Sequence, residues 1–222
     1  MPKGRFLKLT SVAAVCFVFI CFAAGVFAAI KFYSSIYRLP SSQVARIVPA
    51  ADLECARIDD CGLLPGDILV RRYITPKTRF FDEFVHPYFT HAVFYLGDGQ
   101  IVEAAGTEKD CSQEIRISEL ADGGWLDSGL EGFAIIRPKY TADNLAFIKA
   151  ELVDIANDPE YRFGPPFLGA KQTTCADLIL KRLAEEEIVA AEDMTDAATP
   201  DYLFWLAAEN PGEFEIAGYG FF

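Results

Sequence analysis

The sequence predicts an α+β domain, an antiparallel sheet packed with helices, behind an apolar N-terminal helix. Three observations predict it. Strand-like apolar runs come first and helix-period stripes follow them. The links between the strand-like runs are the short Gly- and Asp-bearing kind that reverse a chain. At the very start lies an apolar stretch from Ser11 to Ile30, in which only Ser11 and Gly25 fall outside the hydrophobic set.

That stretch is long enough, at about 1.5 Å per residue, to span a ~30 Å hydrocarbon core. Lys3, Arg5 and Lys8 precede it. A cleaved secretory signal has an apolar part of only about 7–15 residues, so the length favours a retained signal-anchor. Small residues at Ala23-Ala24 and Ala28-Ala29 keep cleavage, and hence secretion, open. Basic residues stay on the cytoplasmic side. This places residues 39–222 outside the cytoplasmic membrane, in the periplasm where the cell has one. Residues 1–38 are read as signal-anchor and stalk, and residues 39–222 as the folded domain.

The composition suits such a domain. The chain has 222 residues, 52% hydrophobic and 23% charged, which excludes a disordered or low-complexity polymer and allows a core that does not depend on disulfides. The net charge is -12, yet residues 1–38 carry five basic residues and no acid. The domain is therefore more acidic than the whole, which argues against a nucleic-acid partner.

Along the domain, Leu64-Pro65-Gly66-Asp67 reads as a turn into a strand at Ile68-Leu69-Val70. Thr90 to Leu96 and Gln100 to Ala104 read as strands of one hairpin about Gly97-Asp98-Gly99. Gly132 to Arg137 is a further strand. Thr141 to Asn157 carries Leu145, Ile148, Leu152 and Ile155 at helical spacing, with Thr141 as cap. Tyr161 to Ala170 reads as a Gly- and Pro-bearing loop, Thr174 to Glu187 as a helix, and Asp201 to Glu209 as a short helix after Pro200.

The chemistry-bearing residues are few. There are two histidines, His86 and His91, and no Cys/His spacing of a zinc site. Neither a G-x-S-x-G elbow nor a phosphate-binding glycine loop occurs. What remains is a cysteine, a histidine and a carboxylate. Thr174-Cys175-Ala176-Asp177 fits the [ST]-x-x-[DE] helix start, with Thr174 as cap and Cys175 as the first helical residue. Free backbone N–H groups and the helix dipole favour a thiolate there, and the same N–H groups suit an oxyanion. A small residue packed beneath a cap is the plainer alternative.

His91 and Glu103 lie on the two hairpin strands. A two-residue loop, Asp98-Gly99, would pair Phe94 with Glu103 and put His91 and Glu103 on opposite faces. A three-residue loop, Gly97-Asp98-Gly99, would pair Val93 with Glu103 and make His91 and Glu103 diagonal neighbours, with Cβ atoms roughly 7–8 Å apart. The second arrangement gives a base and its orienter. A carboxylate inside an apolar strand also needs a partner. Of the remaining cysteines, Cys55 and Cys61 bracket Ala-Arg-Ile-Asp-Asp, a short polar loop that a local disulfide would close in an oxidising compartment. Cys111 and Cys175 are then free or paired with each other.

The run His91-Ala-Val-Phe-Tyr-Leu-Gly-Asp-Gly-Gln-Ile-Val-Glu103-Ala, preceded by Gly66-Asp67-Ile68-Leu69, resembles the circularly permuted branch of the NlpC-type papain-like hydrolases, the YiiX/YaeF-like group. Glu160-Tyr161-Arg162-Phe163-Gly164, Thr174-Cys175-Ala176-Asp177-Leu178 and Thr199-Pro200-Asp201 follow in the order of that pattern, so the likeness spans roughly residues 64–205. It implies a papain-like core with Cys175 as nucleophile, His91 as general base and Glu103 as orienter, and no cofactor. Tyr161 matches a tyrosine that often lies near the nucleophile in this group. It would donate to the oxyanion or bind substrate; a loop aromatic in the core is the alternative. Ala-Asp follows the cysteine where Ser-Glu is commoner, and the segment before His91 is unusually aromatic and acidic.

The expected function is a membrane-anchored, extracytoplasmic cysteine amidase or peptidase acting through an acyl-enzyme, with cell-wall peptides among its substrates. The rivals are a thiol hydrolase or acyltransferase of lipid or acyl esters, with Phe80, Phe81, Phe84, Phe89, Phe163 and Phe167 lining an apolar slot, and a non-catalytic membrane-tethered binding module.

Overall fold

The computed structural model describes residues 53–73, 88–106, 113–122, 124–126, 130–164, 169–190, 193–194 and 198–221, with Gly25 alone ahead of them. The chain divides into two units, Met1–Arg38 and Leu39–Phe222; the following concerns the second. The apolar stretch Ser11 to Ile30 lies, but for Gly25, outside the described residues, among which no helix is long and apolar enough to cross a membrane.

In chain order the strands are β1 Ile68–Tyr73, β2 His91–Gly97, β3 Gln100–Gly106, β4 Gln113–Glu119, β5 Leu130–Pro138, β6 Arg162–Phe163, β7 Gln172–Thr173 and β8 Phe214–Phe221. The helices are α1 Ala142–Asn157, α2 Cys175–Glu185 and α3 Pro200–Glu209. Six strands form one sheet in the order β4-β3-β2-β1-β5-β8, every neighbour antiparallel. Among the described residues the structure is thus α+β, with an antiparallel sheet and three α-helices.

Both faces of the sheet are covered, which explains why Ile68, Leu69 and Val70 are all buried rather than alternating in and out. On the first face Ile68, Val70, Phe94, Leu96 and Val102 pack against Ile148, Leu152, Leu178, Ile179 and Leu183 of the helices. On the second, Leu69, Val93, Tyr95, Ile101 and Ile135 lie beneath Ile58, Leu120 and Trp125. Burying each such side chain is worth roughly 1.5–3 kcal/mol.

Each helix begins at a threonine that accepts an amide: Thr141 from Asn144, in a reciprocal capping box, Thr174 from Asp177, and Thr199 from Tyr202. Pro200 fills the first helical position of α3. Leu64 to Asp67 turns back on itself, with the Asp67 amide donating to the Leu64 carbonyl at 3.0 Å. The Asp67 carboxylate is 1% exposed and is gripped by Arg137 Nε and Nη2, each at 2.8 Å.

The segment between Cys55 and Cys61 corrects the reading of a polar loop. It holds a 3-10 turn, Ile58–Cys61, whose Ile58 is fully buried against the second face. A disulfide joins Cys55 to Cys61. The stretch from Tyr161 also departs from a plain loop: Arg162–Phe163 pairs in parallel with Gln172–Thr173 just ahead of Cys175.

Candidate active site

Three neighbouring strands change character along the second face. β1 runs from Leu69 to Arg71, β2 from Val93 back to His91, and β3 from Ile101 to Glu103. Each passes from an apolar residue to a polar one at the same end of the sheet, so one end of a dry core becomes a polar cluster.

The hairpin register makes that cluster. Asp98 and Gly99 both have positive φ, 52° and 81°, as a two-residue turn of this hand requires. Gly97 pairs with Gln100 across it, and a bulge between Tyr95 and Gly97 then shifts the register so that Phe94 pairs with Val102. Val93 therefore lies opposite Glu103, with His91 on the same face. The loop is the two-residue one, while the register is that of the three-residue alternative, because the bulge supplies the extra residue.

His91 Nε2 lies 3.1 Å from Glu103 Oε2. The other carboxylate oxygen of Glu103 accepts from Arg116 Nε at 2.9 Å, Arg116 Nη2 at 2.7 Å and Ser118 Oγ at 3.0 Å. Arg116 stands directly across from Glu103 on β4, and Ser118 across from Ile101. At 2% exposure, Glu103 is thus a buried carboxylate with every partner it needs. Burial acts to raise its pKa, but the bonds and charges of His91 and Arg116 outweigh that and hold it at about 2.

The opposite balance raises His91. Burial favours the neutral ring, and Arg71 adds to that, but hydrogen bonds to Cys175 and Glu103 and the charge of Cys175 prevail. With Nε2 taken by Glu103, Nδ1 is the nitrogen left for the sulfur. Trp125, fully buried, lies with its ring centroid 6.1 Å from that of His91, and the Arg71 guanidinium sits 4.6 Å over the Trp125 ring.

Cys175 is a free thiol, and Cys111 lies outside the described residues. It is the first residue of α2, which belongs to the helical layer, and its hydrogen bonding and charge act on His91, the first residue of β2. Within the first turn of α2 the Asp177 amide is spent on the Thr174 hydroxyl and that of Leu178 on the Thr174 carbonyl. The amides of Cys175 and Ala176 are bonded to no described residue.

Tyr161 is a partly buried aromatic packed against the first-face core. No hydrogen bond among the described residues joins its hydroxyl to Cys175 or His91; the Lys171 ammonium lies 5.3 Å over its ring. It lines a cavity of about 840 Å³ together with Arg116, Asp158, Arg162 and Gln172. Phe89, placed in the apolar slot, is instead a core residue, 0% exposed and edge-on to Phe204 at 5.1 Å. Phe80, Phe81, Phe84 and Phe167 lie outside the described residues. Among the described residues no group of three or more His, Cys, Asp or Glu side chains is placed to hold a metal ion.

Arg116, Ser118 and Trp125 complete the site without having been singled out by the sequence. Glu114-Ile115-Arg116-Ile117-Ser118 does alternate as a strand does, and that was the available signal.

No protein-family model and no curated protein matches the chain. Among solved structures it is similar, weakly, to the metalloprotein YiiX from Escherichia coli O157:H7, with a TM-score of 0.40 and 12% identity over 68% of this chain and 87% of that one.

Proposed function

We propose that this chain is a cysteine hydrolase of the permuted papain-like type, in which Cys175 is the nucleophile, His91 the general base and acid, and Glu103 the orienter. The observation that carries the reading is the His91 ring held between a buried, fully bonded Glu103 and a free thiol at a helix N-terminus.

In this reading His91 takes the Cys175 proton on Nδ1, giving a thiolate beside an imidazolium. The thiolate attacks an amide carbon, forming a C–S bond and an oxyanion, which the free amides of Cys175 and Ala176 stabilise. His91 then protonates the departing amine as the C–N bond breaks. Water, deprotonated by His91, hydrolyses the thioester and frees the acid and the thiol. No cofactor takes part.

The substrate we propose is a peptide amide outside the cytoplasmic membrane, cell-wall peptides foremost. The apolar stretch Ser11 to Ile30 would anchor the protein, and the Cys55–Cys61 disulfide fits an oxidising compartment. The test is turnover of peptidoglycan stem peptides and of acyl esters by the full chain in detergent. Amine release that vanishes in Cys175→Ala supports the reading; undiminished turnover by a folded Cys175→Ala refutes the nucleophile. Cleavage of acyl esters alone refutes the amidase assignment.

A further inference from the structure

Besides Asp67, two carboxylates outside the triad are buried in the domain. Asp177 and Asp201 are each 2% exposed. Asp177 lies two residues after Cys175; its Oδ2 accepts from Thr174 Oγ1 at 2.6 Å and its Oδ1 from the Ala198 amide at 2.6 Å. Asp201, in the first turn of α3, accepts from the amides of Tyr88 at 2.9 Å and Phe89 at 2.6 Å. Tyr88 and Phe89 lead directly into β2, whose first residue is His91.

Neither carboxylate is needed as a helix cap, since Thr174 and Thr199 already fill that role. What the two add is connection between elements far apart in sequence, over separations of 21 residues for Asp177 and 112 and 113 for Asp201. The stretch from Ala198 to Asp201 is short and stiff, with the Thr199 cap and Pro200 inside it. A continuous path therefore runs from Cys175 through Asp177, the start of α3 and Asp201 to the lead-in of His91.

We propose that Asp177 and Asp201 are positioning residues which, through the first turn of α3, set the distance between the Cys175 sulfur and the His91 ring. The proposal rests on the triad reading above. A carboxylate that grips two successive amides fixes both the place and the direction of that backbone, and Phe89 locked against Phe204 stiffens the same point. Burial pushes Asp201 up to about 6 against the pull of those amides and of Arg72, whose guanidinium also donates to the Tyr88 carbonyl. Burial likewise raises Asp177, against Thr174, Ala198 and the charge of Lys181.

The experiment measures the rate at which iodoacetamide alkylates Cys175 in the full chain, followed on the Cys175 peptide by mass spectrometry, for wild type, Asp177→Asn, Asp201→Asn and His91→Ala. At pH 7 each Asn variant is expected to react at least about fivefold more slowly than wild type, and at pH 10, where hydroxide replaces His91 as the base, within about twofold of it. Folded Asn variants with the wild-type rate at pH 7 overturn the brace. If His91→Ala also keeps the wild-type rate, the triad reading itself fails; if it slows while the Asn variants do not, only the brace fails. Should an Asn variant not fold, the wild type decides. Between pH 7 and 5, protonation of Asp201 is expected to slow alkylation in step with lost exchange protection of the Tyr88 and Phe89 amides. Any other combination of the two overturns the proposal.

Discussion

Replacing Glu103 by Gln removes one charge and almost no volume. The fall of the Glu103 pKa from its ordinary 4.5 to about 2 corresponds to about 3 kcal/mol of folding free energy held by the ionised form. Glutamine keeps an acceptor oxygen, and three donors from Arg116 and Ser118 converge where Oε1 lies. The amide will turn its oxygen to them, which leaves its NH₂ facing His91 Nε2. That nitrogen must then accept, so the ring proton moves to Nδ1, toward the sulfur, and the neutral ring no longer takes the thiol proton. Two measurements follow. Urea unfolding at pH 7 should show a loss of about 2–3 kcal/mol. Alkylation of Cys175 at pH 6 should slow by roughly tenfold to a hundredfold as His91 ceases to accept the thiol proton. The pH dependence has a definite sign. The folded pKa lies below the unfolded one, so the Glu103 contribution is complete above about pH 4.5 and is lost as pH falls through about 2. The stability gap between wild type and Glu103→Gln should therefore close on acidification. A gap under about 0.5 kcal/mol at pH 7, together with an unchanged alkylation rate, would refute the reasoning.

Reducing the disulfide, or making Cys55→Ser with Cys61→Ser, should cost about 2 kcal/mol, the loop-entropy value for a short ring; thermal unfolding with and without reductant measures it. Gly220→Ala should destabilise by about 1–3 kcal/mol, because the new Cβ would lie 2.5 Å from the Phe133 ring and 2.9 Å from the Cys55 carbonyl, both fixed in a filled layer; denaturant titration measures this, and a neutral result would mean that the layer yields.

The helices of this fold are easy to read from the sequence because their signals are local. Thr141, Thr174 and Thr199 announce their own amides, and Ile148, Leu152 and Ile155 share one stripe. β2 and β3 are legible for the same reason, since two strands and their turn lie within one short run; the face shared by His91 and Glu103 is not, because the two-residue loop alone predicts opposite faces and the bulge that reverses this carries no signal of its own. β4 and β8 are not. β4 has three charged residues, Glu114, Arg116 and Glu119, around only two apolar ones, and its Arg116 makes sense only beside Glu103. β8 contains Gly218 and Gly220, which weaken any strand signal. Those glycines answer to a distant cause: a Cβ at Gly218 would meet the Cys61 side chain at 3.0 Å. The 3-10 turn at Ile58 hides among Arg57, Asp59 and Asp60, whose polarity reports the solvent side and conceals the one anchor pointing in. Within the candidate site, the residues proposed to react carry sequence signals and their supports do not, because support comes from side chains that meet only after the sheet has formed.

The bulge beside Gly97 makes the β2–β3 connection unusually intolerant of length change. Surface loops ordinarily absorb insertions and deletions at little cost. Here a single residue gained or lost between Leu96 and Gln100 would slide β3 by one position and turn the Glu103 carboxylate toward the helices, leaving His91 unsupported. Natural and engineered variants of this chain can therefore be sorted by counting residues across that turn: those of altered length would keep the sheet and forfeit the chemistry.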